Sequence, residues 1–247
     1  MRLTVLGTSG AYPRVGGACS GYLIREGNTA LLVDCGTGVF SNLQQHVAPW
    51  DVSDVVISHL HADHFLDLVP FRYALWRLQR GRPNLYLPPG GTEGLLRVSS
   101  VFDASPTFFS DCFEIAEYDP GARLQVGDLH VEFAVVKHFI PSYAVAVMGE
   151  RKLAYSADSG PCEALEELAK EADLFLCEAS RCECNDETSW GHLSAQEAAE
   201  IARRAGVKKL LLTHFWPECD YSGSVKLAAG VFGTEVEVAE EHRTYVV

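Results

Sequence analysis

The stretch His59-Leu60-His61-Ala62-Asp63-His64 places three imidazoles and one carboxylate within six residues, and we call it the histidine motif. The apolar segment Asp54–Ser58 before it predicts a buried strand, and apolar residues at helical spacing after it predict a helix over Phe65–Arg80. The first two histidines are two residues apart in an extended segment and therefore point the same way, whereas Asp63 and His64 turn toward a different point. This arrangement favours two adjacent metal ions over one tetrahedral structural ion.

The ligand types in the histidine motif narrow the choice of metal. Imidazole favours zinc, iron, manganese or nickel, and carboxylate shifts the preference toward the harder members of that set. We therefore expect two divalent ions, with zinc as the first expectation and manganese or iron as alternatives.

Length, net charge and apolar content limit the number of domains and the classes of partner that the chain can have. The 247 residues can form one large domain, and we expect a single domain over residues 1–247. The net charge of −13 argues against a general binder of nucleic acid or of anionic membranes. No stretch approaches the ~20 apolar residues of a membrane span, and no long apolar signal segment opens the chain. We expect a cytoplasmic protein without a membrane partner.

The eight cysteines are scattered, which favours free thiols over a disulfide framework in a chain of this length. One local group leaves an alternative open, because Cys177, Cys182 and Cys184 could form an extra metal site together with His192. The Cys-x-Cys spacing within this group is weak for zinc.

Three further polar residues follow apolar segments that read as strands: His138, Asp158 and His214. Residues at strand ends converge on one rim of a sheet, where binding sites form. His130 has the same strand parity as His138 and is its rival, but His138 lies at the exit end of its predicted strand. Together with the histidine motif, these residues supply two sets of metal ligands.

The residues at these positions resemble the metallo-β-lactamase superfamily over nearly the whole chain. The resemblance implies an α/β fold, an αββα sandwich of two mixed β-sheets with helices on the outer faces. It implies that the first of two metal ions is bound by His59, His61 and His138. It implies that the second is bound by Asp63, His64 and His214, that Asp158 bridges both ions, and that Asp34 in Val33–Gly38 orients a ligating histidine.

Within that superfamily the chain looks most like ribonuclease Z and its relatives, on the segments Gly7–Gly10, Gly191–Ser194 and Leu212–His214. The histidine of those phosphodiesterases that matches His192 assists at the scissile phosphate and pairs with a glutamate, here Glu178. A carboxylate can hold an imidazole oriented and protonated for donation to a departing oxygen. The alternative for Glu178 is a carboxylate of a surface loop.

One departure from ribonuclease Z concerns its long tRNA-gripping arm between the positions that match His138 and Asp158. Here the interval Phe139–Ala157 is only long enough for a hairpin. Together with the acidic net charge, this short interval argues against tRNA processing and favours the short, armless bacterial metallohydrolases. We therefore predict a metal-dependent phosphodiesterase for small phosphodiesters such as cyclic nucleotides.

The predicted mechanism has two metal ions that activate a water and clamp the phosphoryl oxygens. Asp63 is expected to accept a proton from the nucleophile, and His192, oriented by Glu178, to stabilise the departing oxygen. Phe139 and Tyr143 flank Pro141 beside a proposed ligand and are the expected substrate contacts.

Three other functions remain open alternatives. Ribonuclease Z-type RNA processing is one, and an acyl hydrolase such as a lactonase, thioesterase or β-lactamase is another, which would not need the His192–Glu178 pair. A non-catalytic, metal-dependent nucleotide sensor is the third, although the complete ligand set argues against it. The resemblance also suggests a homodimer.

Overall fold

The secondary structure is given by a computed structural model that describes residues 1–181 and 190–247. The strands of this part of the chain are β1 (Arg2–Gly7), β2 (Gly21–Glu26), β3 (Thr29–Val33), β4 (Asp54–Val56), β5 (Asn84–Leu87), β6 (Glu114–Glu117), β7 (Leu124–Val126), β8 (Leu129–Val136), β9 (Ser142–Met148), β10 (Lys152–Tyr155), β11 (Leu174–Glu178), β12 (Leu210–Thr213), β13 (Glu237–Val238) and β14 (Thr244–Val246). The α-helices are α1 (Val39–Leu43), α2 (Ala62–Phe65), α3 (Leu68–Leu78), α4 (Gly91–Ser99), α5 (Glu163–Ala169), α6 (Ala195–Arg204) and α7 (Ser222–Phe232).

The strands form two seven-stranded sheets. The first has the order β14-β1-β2-β3-β4-β5-β6, and the second has the order β13-β12-β11-β10-β9-β8-β7. Both are mixed, because β3 pairs antiparallel with β2 and parallel with β4, and β10 pairs antiparallel with β9 and parallel with β11.

Alternation along the strands explains how the sheets are covered on both faces. In β3, Leu31 packs in the core between the two sheets, whereas Leu32 packs on the outer side with residues of α1, α3 and α4. In β11, Leu176 faces the core between the sheets, and Phe175 packs with residues of α5 and α6 on the other side. The predicted αββα sandwich is therefore confirmed, and strands with two buried faces account for the nearly continuous apolar runs.

The helix predicted over Phe65–Arg80 is wrong as a single element. The structure divides this region into α2 and α3, with Leu66 and Asp67 between them. Pro70 gives the physical reason, because it has no N–H to donate to the carbonyl of Leu66 and its ring would clash with that carbonyl in a continuous helix. The break turns the chain directly after the histidine motif.

Two features near the end of the chain are not what the sequence patterns predict. Helix α7 went unpredicted because Gly223 and Gly230 lower its helix propensity and Ala228 is its one buried residue. The apolar residues near 235–238 and those near 244–247 are alternative predictions for the final strand. Both strands form, at the edges of different sheets.

Among the described residues, the cysteines follow the prediction of free thiols except at Cys219. Five are free, namely Cys19, Cys35, Cys112, Cys162 and Cys177. Cys219 is disulfide-bonded, so the prediction is wrong there, because sequence spacing does not show which sulfur atoms the fold brings together. Cys177 packs in the apolar cluster beneath α5 and α6, and Cys182 and Cys184 of the suggested extra metal site lie outside the described residues.

No described helix is long and apolar enough to cross a membrane.

Candidate metal centre

The predicted metal ligands come together where strands of both sheets end. The histidine motif follows β4, and the parallel register of Val33 with Val56 brings Asp34 out at the same edge. In the second sheet, the pairing of Glu178 with Thr213 places Glu178 beside the strand that leads into His214. His138 follows β8 and Asp158 follows β10, so local strand ends position all of these side chains.

One group of four side chains could hold a first metal ion: His59, His61, His138 and Asp158, whose ligand atoms all lie within 4.8 Å of one another. His61 Nδ1 is 3.0 Å from His138 Nε2, and the Nε2 atoms of His59 and His138 are each 3.8 Å from Asp158 Oδ2. Nitrogen ligands of a tetrahedral zinc lie about 3.3 Å apart, from Zn–N distances near 2.05 Å. The three measured distances lie within about 0.5 Å of this value, so the group could hold one tetrahedral ion.

A second group consists of Asp63, His64, Asp158 and His214. His64 Nε2 is 3.2 Å from Asp158 Oδ1 and 3.6 Å from Asp63 Oδ2. His214 Nε2 is 3.1 Å from Asp158 Oδ2. Because Asp158 belongs to both groups, its carboxylate occupies the position that a ligand bridging two ions would take.

Asp34 is completely buried and holds His64 by its far nitrogen, at 2.8 Å between Oδ2 and Nδ1. The same carboxylate accepts hydrogen bonds from the backbone N–H and the hydroxyl of Ser58, and from the hydroxyl of Tyr155 at 2.9 Å. These bonds hold the His64 ring with Nε2 toward the second metal group. This arrangement matches the role that the resemblance implies for Asp34, which is to orient a ligating histidine.

Sequence reasoning missed two other residues that orient ligands. Ser20 Oγ lies 2.8 Å from His214 Nδ1, and the carbonyl of Gly191 accepts from His138 Nδ1 at 2.8 Å. Both contacts leave Nε2 of the histidine for the metal group. No local motif predicts these two contacts, because the fold brings the residues to their histidines from 194 and 53 positions away in the chain.

Buried polar atoms test whether metal ions fit this centre. Among the described residues, His59 Nε2, His64 Nε2 and Asp158 Oδ1 are buried without a hydrogen-bond partner, which is unfavourable unless another group binds them. Every ion pair that Asp34, Asp63 and Asp158 make within residues 1–181 and 190–247 is with a histidine. Divalent cations would supply both the missing bonds and positive charge. The two clusters therefore suggest a dinuclear metal site.

The backbone is strained at three points of the centre. Asp34, Ala157 and His214 have φ values of 58°, 51° and 59°, in the left-handed region that residues with a Cβ rarely adopt. Such conformations persist where the surrounding structure imposes them, and they cluster at functional sites. Here they turn Asp34, Asp158 and His214 off their strands toward the common centre.

His192 and Glu178 form a buried pair beside the metal groups. His192 Nδ1 lies 2.9 Å from Glu178 Oε1, which also accepts from the backbone N–H of Ser159 at 2.8 Å, while Ser180 Oγ donates to Glu178 Oε2. Burial lowers the pKa of His192, but the Glu178 carboxylate outweighs it and raises that pKa to about 9. Glu178 is fully buried at the end of β11, so the alternative of a surface loop carboxylate is wrong.

A cavity of about 300 Å³ is lined by residues of both metal groups and by His192. Of the two predicted substrate contacts, Phe139 lies at this site, with its ring centre 5.8 Å from that of His192. Tyr143 does not, because its side chain packs in the core between the sheets, against Tyr118. His130, the rival of His138, is exposed near the start of β8.

We expect Asp34→Asn to weaken the second metal group selectively. The variant keeps the size of the side chain but loses the charge that holds His64, and such losses typically lower metal affinity about 10- to 100-fold. Zinc titration followed by isothermal calorimetry measures this change. Asp67→Asn is the control, because Asp67 binds the backbone of Phe40 and no proposed ligand. Equal losses in both variants would contradict the role of Asp34.

The interval from His138 to Asp158 contains the two strands β9 and β10, which pair antiparallel with the register Lys152 to Met148. As the sequence predicts, it forms a hairpin and carries no long arm.

Comparisons with known proteins agree with this fold. The family described as "Beta-lactamase superfamily domain" matches residues 29–215. The probable metallo-hydrolase YhfI of Bacillus subtilis is 33% identical over 97% of this chain and 97% of its own length. Its crystal structure superposes with a TM-score of 0.90 and 28% identity, covering 99% of each chain. Ribonuclease Z of Brevibacillus brevis is 31% identical over 88% of this chain and 86% of its own. The chain therefore belongs to the metallo-β-lactamase superfamily, in its ribonuclease Z-like branch, and is a metallo-hydrolase.

Proposed function

We propose that this metallo-hydrolase is a phosphodiesterase that acts on small phosphodiesters such as cyclic nucleotides. The observation that carries the proposal is the buried His192–Glu178 pair, of which His192 lines the same cavity as residues of both metal groups. A carboxylate-bound imidazolium can donate a proton to a departing alkoxide, a task that phosphodiester cleavage requires. Opening a lactone or a β-lactam on the same metal ligands does not need this pair.

In this proposal the ligands of the first ion are His59, His61, His138 and Asp158, and those of the second are Asp63, His64, Asp158 and His214. Zinc is the proposed metal, with manganese or iron as alternatives. Bound divalent ions supply Lewis acidity and a water that ionises near neutral pH.

The residues of the chain supply the proton transfers. Asp63 lines the cavity, and its Oδ2 accepts the backbone N–H of Ala11 at 2.7 Å, which fixes the carboxylate where it can take a proton from the attacking water. His192 has Nδ1 engaged by Glu178, so Nε2 is the nitrogen that donates to the departing oxygen. In this proposal Asp63 accepts a proton as the water attacks phosphorus, and His192 donates a proton as the alkoxide departs.

The size and charge of the molecule favour small substrates. A cavity of about 300 Å³ is at the lower end of the range for small-molecule sites. The hairpin of β9 and β10 offers no RNA-gripping arm, and the net charge of −13 repels a polyanion.

A substrate panel tests the proposal on purified protein loaded with zinc or with manganese. It contains bis-(p-nitrophenyl) phosphate, 3′,5′-cyclic AMP, a lactone, a thioester and precursor tRNA. We expect kcat/KM for the phosphodiesters to exceed that for the lactone and the thioester by about 100-fold or more, since a site built for one reaction discriminates at the transition state. Asp158→Ala protein, purified identically, controls for contaminating hydrolases. Turnover of the acyl substrates without turnover of phosphodiesters would overturn the proposal.

A further inference from the structure

We propose that Phe139 and Trp190 form an aromatic platform that binds the nucleobase of a nucleotide substrate. This inference rests on the proposed function and adds to it the chemical class of the group attached to the phosphate. The platform is defined here as these two side chains.

The exposure of the two rings is the first observation. Phe139 is 47% exposed and Trp190 is 44% exposed, although phenylalanine and tryptophan are usually largely buried in proteins. Their ring centres are 4.9 Å apart in an edge-to-face arrangement. Because the two ring planes are inclined by 68°, a base can stack flat on one ring and contact the other ring beside it.

The position of the platform is the second observation. Phe139 directly follows the proposed ligand His138, and their ring centres are 5.1 Å apart. Phe139 also lies 5.8 Å from His192, the proposed proton donor. A base on the platform therefore lies next to the group that acts at the phosphate, close enough for a single nucleotide to span both.

The close packing of the backbone segments that carry the two rings is the third observation. The N–H of Gly160 donates to the carbonyl of Lys137 at 2.6 Å. A Cβ at Gly160 would lie 2.0 Å from the carbonyl oxygen of Trp190, and a Cβ at Gly191 would lie 3.0 Å from the Phe139 ring. Glycine at these two positions allows the segments that carry both rings to pack closely, and a preorganised surface loses less entropy on binding.

Charge near the platform also suits a nucleotide. Lys137 places its Nζ 5.5 Å from the centre of the Trp190 ring, a cation–π arrangement. In a chain with a net charge of −13, this lysine places a positive charge beside the platform, where an anionic ligand would arrive. Stacking depends on ring area rather than on base edges, so we expect purine nucleotides to bind more tightly than pyrimidine nucleotides.

Binding of adenosine 5′-monophosphate and of ribose 5-phosphate to the zinc-loaded full chain, measured by isothermal titration calorimetry, tests the inference. The two probes share the ribose 5-phosphate group, and adenine in the nucleotide replaces the anomeric hydroxyl of the sugar phosphate. We expect the wild type to bind the nucleotide about 10-fold or more tightly than the sugar phosphate. We expect the double variant Phe139→Ala/Trp190→Ala to reduce this ratio to near one while its affinity for ribose 5-phosphate stays unchanged.

Matched variants separate stacking from general damage. Trp76→Ala removes a comparably exposed tryptophan from helix α3 and should leave the ratio as in the wild type. Phe139→Leu keeps an apolar side chain without a ring and should lower the ratio by itself, which preserves the test if the double variant does not fold. A ratio near one in the wild type, or an unchanged ratio in Phe139→Leu and in a folded double variant, would overturn the platform.

The outcome for the platform is distinguishable from the outcome for the proposed function. Wild-type protein that prefers the nucleotide but does not hydrolyse 3′,5′-cyclic AMP or bis-(p-nitrophenyl) phosphate supports the platform and contradicts the phosphodiesterase. Protein that hydrolyses both phosphodiesters with no preference for the nucleotide supports the phosphodiesterase and contradicts the platform.

Discussion

Asp158→Ala is expected to abolish both the binding of two metal ions and hydrolysis. The Asp158 carboxylate is the one ligand shared by the two groups, it is 2% exposed, and its oxygens lie 3.1–3.8 Å from four histidine nitrogens. Without this carboxylate, both metal groups lose a ligand. The site also has less negative charge to balance the two bound cations. We expect fewer than two metal ions per chain by mass spectrometry of dialysed protein. Hydrolysis should fall about 1,000-fold or more, because the ions contribute several kcal/mol to transition-state stabilisation.

Asp51→Ala serves as the control for this substitution, since Asp51 is exposed in a short 3₁₀ helix away from the site. It should bind as much metal as the wild type and retain full activity. If the Asp158→Ala protein still binds two ions, Asp158 does not bridge them.

His192→Ala is expected to lower kcat by about 100- to 10,000-fold, the usual contribution of a general acid, while two metal ions remain bound. The loss should be smaller for bis-(p-nitrophenyl) phosphate than for 3′,5′-cyclic AMP. A nitrophenolate departs without a proton, whereas the ribose alkoxide requires one. His130→Ala is the matched control, because His130 is an exposed histidine near the start of β8.

Equal losses for the two leaving groups would contradict proton donation by His192. Full turnover of 3′,5′-cyclic AMP by a His192→Ala protein that holds two ions would contradict any role of this residue in the reaction.

Glu178→Gln tests how the partner of His192 sets the pH range of activity. The protonated form of His192 is the active acid and is present below its pKa, which the Glu178 carboxylate raises. Glutamine keeps an oxygen for the hydrogen bond but removes the charge. The pKa of His192 should then fall, and the alkaline limb of the kcat/KM profile should move to lower pH. If the alkaline limb does not move, Glu178 does not raise the pKa of His192 in the active enzyme.

The structure brings the predicted metal ligands together, and the sequence signals for them are local. The histidine motif is a six-residue pattern, and His138, Asp158 and His214 each follow an apolar strand. Strand ends meet at one edge in a sandwich of this kind, so side chains far apart in the chain could be grouped before their contacts were known.

The errors come from interactions that cross the fold. Tyr143 was expected at the substrate because it flanks Pro141, yet side-chain alternation in β9 turns its ring into the core between the sheets. Ser20, the Gly191 carbonyl and Tyr155 support the site through contacts that no local pattern encodes. The sequence placed Phe139 at the substrate, but the structure alone brings Trp190 beside it.

The most direct test of the dinuclear site is anomalous diffraction from crystals of the zinc-loaded protein, recorded on both sides of the zinc absorption edge. The proposed site predicts two zinc peaks per chain, on either side of the Asp158 carboxylate. One peak should be surrounded by His59, His61 and His138, and the other by Asp63, His64 and His214. A single peak, or two peaks that do not share Asp158, would contradict it.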